Sequence, residues 1–228
     1  NNHLEEDKKN QHKTQGSTAR GIAPCYKDKY GRSGVRVESD SFFENYIWDE
    51  KLHGKVLCEG AQGFWLDINH GNYPYVTSST TLPYGACSLG FPPQKIRKVY
   101  GATKIYDTRS GIDPEFPEEL LEDQDLFKIG ELGEECGTTT GRKRIINWLN
   151  LDKLLEAIEK TGTTILVISK LDIFEKINLF KVYSENCLIE FLSLDDLIFF
   201  LNDKIRSSKN YITTIHYSDS PEGVHSLV

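Results

Sequence analysis

The stretch T163-T164-I165-L166-V167-I168 is a nearly continuous apolar run of strand length in a chain with abundant charge. A run of this kind, without alternation of polar and apolar residues, is typical of a strand buried on both faces. Such strands belong to parallel sheets that are covered by helices. The stretch therefore predicts an α/β fold.

A helix is predicted on each side of this strand. Asn150 can cap a helix in which leucine and isoleucine repeat at helical spacing, and Gly162 can end it. Ser193 can cap a second helix, with Asp195 and Asp196 in the first turn, where negative charge is favourable. Helices that alternate with strands indicate right-handed crossovers.

Further strands are predicted from shorter apolar runs. They are K55–C58, K181–Y183 and Y211–I215. Together with the helices they predict a mostly parallel central sheet flanked by helices. We expect a single α/β domain over residues 1–228, in which 1–16 is a polar segment, 17–149 carries binding loops and 150–228 forms a βαβ part.

Composition excludes several classes of function. The 228 residues carry a net charge of -7, with 38% hydrophobic and 27% charged residues, as is usual for a globular protein. The acidic balance argues against a nucleic-acid or anionic-membrane binder. No run approaches the roughly 18 apolar residues of a membrane helix. The five cysteines form no C-x-x-C pair, so we expect a reducing, cytoplasmic compartment.

Polar segments follow three of the predicted strands. They are Glu59-Gly60-Ala61-Gln62-Gly63, Ser169-Lys170-Leu171-Asp172 and Ser218-Asp219-Ser220-Pro221. Ligands of open α/β sheets gather beyond the carboxyl ends of strands, so these segments are candidates for a binding site. Asp172 can accept from the N1–H and N2–H of guanine while the stem of Lys170 lies along the base. A solvated strand end is the alternative for Lys170 and Asp172, and a tight turn is the alternative for the segment around Gln62.

The loop T138-T139-T140-G141-R142-K143-R144 predicts an anion site. Arginine forks match carboxylates and phosphates bidentately, and hydroxyl groups add neutral donors. Lys143 points away from Arg142 and Arg144 by alternation, and we assign it no role. A helix cap is the structural alternative, but it would explain only one of the threonines.

The block from Asp67 to Thr81 offers little for a metal ion. Asp67 and His70 give two potential ligands, and a third is not evident nearby, so we predict no metal site in this chain. The hydroxyl groups of Thr77–Thr81 suit a phosphate better. Arg32, between Gly31 and Ser33, can project to a phosphate or to another subunit.

These segments together resemble the adenylosuccinate synthetase family. The matches occur in the family's order and cover residues 15 to 175, with the C-terminal strand matching more loosely. The matching motifs are S17-T18-A19-R20-G21-I22-A23-P24, D28-K29-Y30-G31-R32, V56–G63, L66–S79, T139–R144 with W148-L149, and K170-L171-D172.

The resemblance implies a fold, an activity and cofactors. The fold is that of the family, which is related to the P-loop NTPases. The family joins L-aspartate to a 6-oxopurine nucleotide. A purine triphosphate, GTP or else ATP or dATP, phosphorylates O6 with Mg²⁺, and the aspartate amine then displaces the phosphate. The resemblance also implies a homodimer, with no nucleic-acid or membrane partner.

The resemblance implies a role for each matching residue. Gln62 would act catalytically near O6, and Arg32 would reach the nucleotide phosphate of a neighbouring subunit. The purine monophosphate would be held by Thr18, Arg32, Gln62, Thr77 and Arg142. The aspartate would be held by Thr139, Thr140, Arg142 and Arg144. The triphosphate would be held by Arg144, Lys170, Asp172, Ser218 and Ser220.

The chain also departs from the family pattern. The glycine-rich phosphate loop, the aspartate base, the histidine acid and the Mg²⁺ ligands have no match here, and the chain contains no methionine. We therefore expect an N-terminal portion of about a third of the protein to precede residue 1. A non-catalytic nucleotide-binding module is the alternative.

A second departure concerns the substrate. Leu82-Pro83-Tyr84 stands where the family has small residues, and Ser110 stands where many members have valine beside the ribose. Such changes favour the bacteriophage branch of the family, which uses dGMP to make a precursor of 2-aminoadenine nucleotides, in host cytoplasm. The alternative is the standard reaction of IMP with GTP.

Overall fold

The computed structural model describes residues 2–10, 19–48, 50–137, 141–209 and 211–225. Two compact units divide the chain at Gly90: Asn1–Gly90 and Phe91–Val228. The predicted single domain of residues 1–228 stays a prediction.

The first unit contains two α-helices and several short 3-10 helices. The helices are α1 (Asn2–Asn10) and α2 (Ile22–Gly31), and the 3-10 helices are Val37–Ser39, Ser41–Tyr46, Phe64–Leu66 and Pro83–Leu89. The buried carboxylate of Asp7 accepts a hydrogen bond of 2.7 Å from the backbone amide of Gly21. That bond fixes the start of α2 against α1.

The strand predicted at K55–C58 is wrong. These residues are extended without forming a strand, and their side chains are exposed. Leu57 is 82% exposed, and no neighbouring strand pairs with this segment in the described part of the first unit. Apolar residues form a strand only where a second strand satisfies their backbone groups.

Asp67 organises the loop that follows. Its side chain is fully buried and accepts hydrogen bonds from the backbone amides of Asn69, His70 and Thr81. Burial disfavours the charged carboxylate, but these amides outweigh burial and hold the pKa of Asp67 below its usual value. Gly71 packs so closely that a Cβ there would collide with the carbonyl oxygens of Trp65 and Asp67.

The second unit contains two four-stranded sheets and four α-helices among its described residues. The strands are β1 (Tyr100–Lys104), β2 (Tyr106–Arg109), β3 (Ile145–Asn150), β4 (Ile165–Ser169), β5 (Phe180–Ser184), β6 (Cys187–Phe191), β7 (Thr214–Ser220) and β8 (Gly223–His225). The helices are α3 (Gln124–Leu132), α4 (Leu151–Thr161), α5 (Leu171–Ile177) and α6 (Leu194–Ser208). Two further 3-10 helices span Pro93–Lys95 and Glu118–Glu122.

The strand order is β1-β4-β7-β8 in one sheet and β2-β3-β5-β6 in the other. The pairs β1–β4, β4–β7 and β3–β5 are parallel, whereas β2–β3, β5–β6 and β7–β8 are antiparallel. The α/β class is therefore confirmed, with two mixed sheets in place of one central sheet. The antiparallel pair β5–β6 follows from the turn at Glu185 and Asn186, both of which have positive φ.

The predicted helix caps are confirmed. The Asn150 side chain accepts from the backbone amide of Lys153 at 3.1 Å, and Gly162 ends α4 with φ of 65°. The Ser193 hydroxyl oxygen accepts from the amide of Asp196 at 3.1 Å at the start of α6. The predicted central strand becomes β4, and Leu166 and Ile168 in it are almost completely buried.

Candidate functional site

The three strands β1, β4 and β7 end at one edge of the first sheet. Lys104 lies opposite Ser169 across β1 and β4, and Ile168 lies opposite Tyr217 across β4 and β7. Because these strands are parallel, their carboxyl ends meet at this edge. The structure thus places Lys170 and the end of β7 on the same edge, as the sequence predicted.

A buried carboxylate, Glu135, lies beside this edge, three residues after the end of α3. Its side chain is 2% exposed and contacts three donors. The Nζ atom of Lys104 is 2.7 Å from the carboxylate, the hydroxyl group of Tyr106 donates at 2.7 Å, and Nη1 of Arg144 donates at 2.6 Å. Burial alone would raise the pKa of Glu135, but these three contacts keep it below its usual value.

The pKa of Lys104 is lowered by its surroundings. Burial lowers the pKa of Lys104, and the positive charges of Arg144 and Lys170 lower it further, while Glu135 opposes them. Burial is also the first cause of the raised pKa of Tyr106. Lys104 and Arg144 contact the Glu135 carboxylate, and Lys170 contacts the neighbouring Gly133 carbonyl. These three cations outnumber the two carboxylates of the cluster, Glu135 and Asp172, whose charges both act on Tyr106.

The loop of residues 138–144, called the anion loop below because the sequence predicts that it binds an anion, is joined to Glu135 at its end. Its described ends are joined by backbone hydrogen bonds, from the amide of Gly137 to the carbonyl of Arg142 at 2.9 Å and from Gly141 to Gly137 at 2.7 Å. The backbone amide of Arg144 donates to the carbonyl of Glu135 at 3.0 Å. Arg142 is exposed, and Thr139 and Thr140 lie outside the described residues.

Lys143 contacts the outer surface of α3. Its Nζ atom pairs with Glu131 at 3.0 Å and lies over the ring of Phe127. The absence of a binding role for Lys143 stays a prediction.

Lys170 occupies the turn between β4 and α5. Its backbone is left-handed, with φ of 69°, which is uncommon for a residue other than glycine. Its Nζ atom donates to the carbonyl of Gly133 at 3.1 Å, so it contacts the end of α3 next to Glu135. The carboxylate of Asp172 pairs with Lys176 at 2.7 Å on the partly exposed first turn of α5.

Ser218 and Ser220 belong to β7, so the prediction that they follow the last strand is wrong. The strand extends to Ser220 because β8 pairs with it. The buried hydroxyl group of Ser218 donates within this hairpin, with carbonyl oxygens of Ser220 at 2.8 Å and Gly223 at 2.6 Å. Ser220 is exposed at the end of the strand.

The candidate residues of the first unit lie on its loops. Gln62 is exposed, with φ of 62°, and Arg32 is exposed at the end of α2, with φ of 61°. Thr77 is partly buried, and its backbone amide donates to the carbonyl of Leu66 at 2.8 Å. Thr18 lies outside the described residues.

A second charged cluster lies at the end of β2 and in the residues that follow it. Arg109 and Asp113 form a buried ion pair with Nε and Oδ2 3.3 Å apart, and Lys153 pairs with Glu115. The carboxylate of Asp107 accepts from the backbone amide of Asn150 at 2.9 Å, and burial raises its pKa to about 6. These contacts fix the segment that precedes the exposed Ser110.

Sequence reasoning missed Glu135 and its partners Lys104 and Tyr106. The alternation K104-I105-Y106 places two polar side chains on the same side of the chain, which was a signal for a shared partner. The partner itself lies on a different element, so the sequence did not identify it.

The described ranges contain no group of three or more His, Cys, Asp or Glu residues placed to hold a metal ion. A membrane-crossing helix is likewise not found among the helices in the described ranges.

The family model and the related sequences that match this chain carry the same family name. The sequence model of the family described as adenylosuccinate synthetase matches residues 42–188. The adenylosuccinate synthetase of Phocaeicola vulgatus is 38% identical over 75% of this chain and 52% of its own length. That of Chlorobaculum parvum is 36% identical over 73% of this chain and 50% of its own. The chain thus spans about half the length of the curated relatives it matches.

Two solved structures share the fold. The fully ligated adenylosuccinate synthetase of Plasmodium falciparum has a TM-score of 0.76 at 24% identity, covering 99% of this chain and 75% of its own. The succinoaminodeoxyadenylate synthetase of cyanophage S-2L, bound to dGMP and dATP, has a TM-score of 0.62 at 21% identity. The match covers 99% of this chain and 65% of the cyanophage chain. The sequence match over residues 42–188 shows that this chain belongs to the adenylosuccinate synthetase family.

Proposed function

We propose that the protein acts as a carbon–nitrogen ligase that joins L-aspartate to C6 of a 6-oxopurine nucleotide. A purine nucleoside triphosphate transfers its γ-phosphoryl group to O6, and the aspartate amine then displaces that phosphate from C6. The observation that carries this proposal is the cation cluster of Lys104, Arg144 and Lys170 at the carboxyl ends of β1 and β4. All the ligands of this reaction are anionic, and a partly buried excess of positive charge attracts them.

The anion loop supports the aspartate part of the proposal. Arg142 is exposed, and Arg144 is anchored at the base of the loop with 31% of the side chain exposed. We propose that both arginines, with Thr139 and Thr140, bind the aspartate carboxylates. Fixed guanidinium groups lower the cost of ordering such a ligand.

The edge formed by β4 and β7 supports the triphosphate part. We propose that Lys170, Asp172, Ser218 and Ser220 bind the triphosphate and its base, together with Arg144. Asp172 is partly exposed beside Lys176 and retains acceptor capacity for guanine N–H groups. The buried hydroxyl group of Ser218 shapes the hairpin, so the backbone and Ser220 would make the contacts there.

The exposed loops of the first unit support the nucleotide part. We propose that Thr18, Gln62 and Thr77, with Arg142, bind the purine monophosphate, and that Gln62 stabilises the charge developing on O6. Preorganised donors at such an oxygen are a large source of catalysis. Arg32 is proposed to contact the phosphate of a second copy in a homodimer.

IMP with GTP is the first substrate pair that we propose. Curated relatives with 34–38% identity are named adenylosuccinate synthetase, and the product of that name derives from IMP. The dGMP reaction is the second candidate. It is supported by Ser110, which is exposed directly after β2, and by the shared fold of the cyanophage enzyme.

Aspartate-dependent phosphate release tests the proposal. The protein expressed from its complete gene should be assayed with IMP or dGMP, each paired with GTP, ATP or dATP. Turnover with IMP alone would contradict the dGMP candidate, and turnover with dGMP alone would contradict the IMP candidate. Nucleotide binding without turnover in any combination would contradict the ligase and indicate a binding module.

A further inference from the structure

Glu135 is held by contacts from three different parts of the second unit. Lys104 belongs to β1, Tyr106 to β2 and Arg144 to the segment that leads into β3. A carboxylate that is 2% exposed is expensive to bury, and its cost is offset only when donors occupy its oxygen atoms. Lys104, Tyr106 and Arg144 supply these donors, so they hold the carboxylate of Glu135 in one position.

Arg144 is attached to Glu135 at two points. Its backbone amide donates to the Glu135 carbonyl at 3.0 Å, and its Nη1 atom donates to the Glu135 carboxylate at 2.6 Å. A guanidinium group is planar and rigid, so fixing the backbone and one nitrogen restricts the direction of the whole fork. Thirty-one per cent of the side chain remains exposed, so the fork is oriented without being enclosed.

Lys104 prevents this anchor from cancelling the charge of Arg144. One carboxylate facing only one arginine would leave a neutral pair with little attraction for an anionic ligand. Here Lys104 contacts the same carboxylate, and Lys170 adds a third cation through its contact with Gly133. The cluster therefore stays positive while Arg144 is held in place.

We propose that Glu135 is a positioning residue for ligand binding by Arg144. Its carboxylate orients the Arg144 fork and ties the base of the anion loop to β1 and β2, and Lys104 keeps the site cationic. This inference deepens the proposed function and rests on it. Glu135 itself is anionic and buried, so it acts on the aspartate through Arg144.

The kinetic test compares two Glu→Gln substitutions in the protein expressed from its complete gene. Glu135→Gln removes the anchoring charge, and Glu131→Gln removes the exposed contact of a glutamate on α3 with Lys143. We expect Glu135→Gln to raise the KM for aspartate by about tenfold or more, which is the loss of roughly one charged hydrogen bond. The KM for the purine monophosphate should change less than about threefold, and Glu131→Gln should resemble the wild type.

A second, milder variant keeps the inference testable if Glu135→Gln fails to fold. Tyr106→Phe removes one donor from the Glu135 carboxylate and keeps the ring volume. We expect it to raise the KM for aspartate by a smaller factor, about threefold. An active wild type whose aspartate KM is unchanged in the folded variants would overturn the inference.

A double-mutant cycle of melting temperatures tests the contact between Glu135 and Arg144 without an activity measurement. Arg144→Gln should lower Tm by roughly 2–4 °C in the wild-type background and by clearly less in the Glu135→Gln background. Additive shifts would overturn the inference. Non-additive shifts together with no aspartate-dependent turnover in wild type and Glu131→Gln would contradict the proposed function while supporting the contact between Glu135 and Arg144.

Discussion

The Nη1 atom of Arg144 donates to the buried carboxylate of Glu135 at 2.6 Å, and the two residues are also joined by a backbone hydrogen bond. This double contact makes the base of the anion loop part of the folded core. Arg142, two residues earlier in the same loop, is exposed. Substitutions at Glu135 and Arg144 are therefore expected to affect stability as well as ligand binding.

Substitution of Glu135 by leucine should strongly reduce stability. The change leaves Lys104 and the hydroxyl group of Tyr106 partly buried without their shared acceptor, which typically costs about 3–5 kcal/mol. Urea denaturation measures the free energy of unfolding. Glu131→Leu is the control, because its contact with Lys143 is exposed and contributes at most about 1 kcal/mol. Equal losses for both variants would contradict the anchoring role.

Substitution of Arg142 by alanine should reduce affinity for aspartate and for the purine monophosphate. Each lost charged hydrogen bond costs about 1.5–3 kcal/mol, so the dissociation constants for aspartate and for the purine monophosphate should rise roughly 10- to 150-fold. Calorimetric titration of the protein from its complete gene measures both. Lys143→Ala is the neighbouring control, since Lys143 contacts α3. Unchanged affinity for both ligands in Arg142→Ala would refute its placement.

Substitution of Asp172 by asparagine should remove the preference for a guanine triphosphate. An asparagine side chain replaces one acceptor oxygen with a donor, so it cannot accept from both guanine N–H groups. The ratio of kcat/KM for GTP and ATP measures this preference. Lys176→Gln removes the ion-pair partner of Asp172 but keeps its carboxylate, and it should retain the preference. A wild type that prefers ATP would show that Asp172 has another role.

Stability should fall as pH rises from about 4 to 6 because of Asp107. Burial raises its pKa to about 6, so between pH 4 and 6 the folded protein binds a proton at this site that the unfolded chain has released. The folded state is therefore relatively destabilised as Asp107 ionises, by up to roughly 1.4 kcal/mol per pH unit.

Unfolding by urea at several pH values tests this expectation. Asp107→Asn keeps an acceptor for the backbone amide of Asn150 and cannot ionise, so it should flatten this part of the pH profile. Asp203→Asn, at an exposed position on α6, is the control. A profile that is the same in Asp107→Asn and wild type would contradict the assignment.

Asp67 should have the opposite effect on stability. Its pKa lies below the usual value, so its contribution is fully present above about pH 4 and is lost as pH falls through the folded pKa. Asp67→Asn should speed hydrogen exchange of residues 64–82 at neutral pH, because the amides of Asn69, His70 and Thr81 lose a charged acceptor. Asp40→Asn, which removes the charge from an exposed acceptor of one amide, should have little effect.

The sequence determined the features that depend on near neighbours. The Asn150 and Ser193 caps each depend on a backbone amide three residues ahead, and Gly162 depends on its own φ. The buried strand β4 was also predictable, because its apolar character does not depend on the identity of its neighbours. The ordered motifs that carry the family resemblance belong to this class too, since they can be read along the chain.

The tertiary structure decided the features that depend on distant partners. K55–C58 has strand-like residues but no neighbouring strand among the described ones, and Ser218 lies within β7 because β8 pairs with it. The contacts of Glu135 with Lys104 and Tyr106 span 31 and 29 residues. A carboxylate can be buried only where its donors converge in space, and spacing along the chain does not encode that convergence.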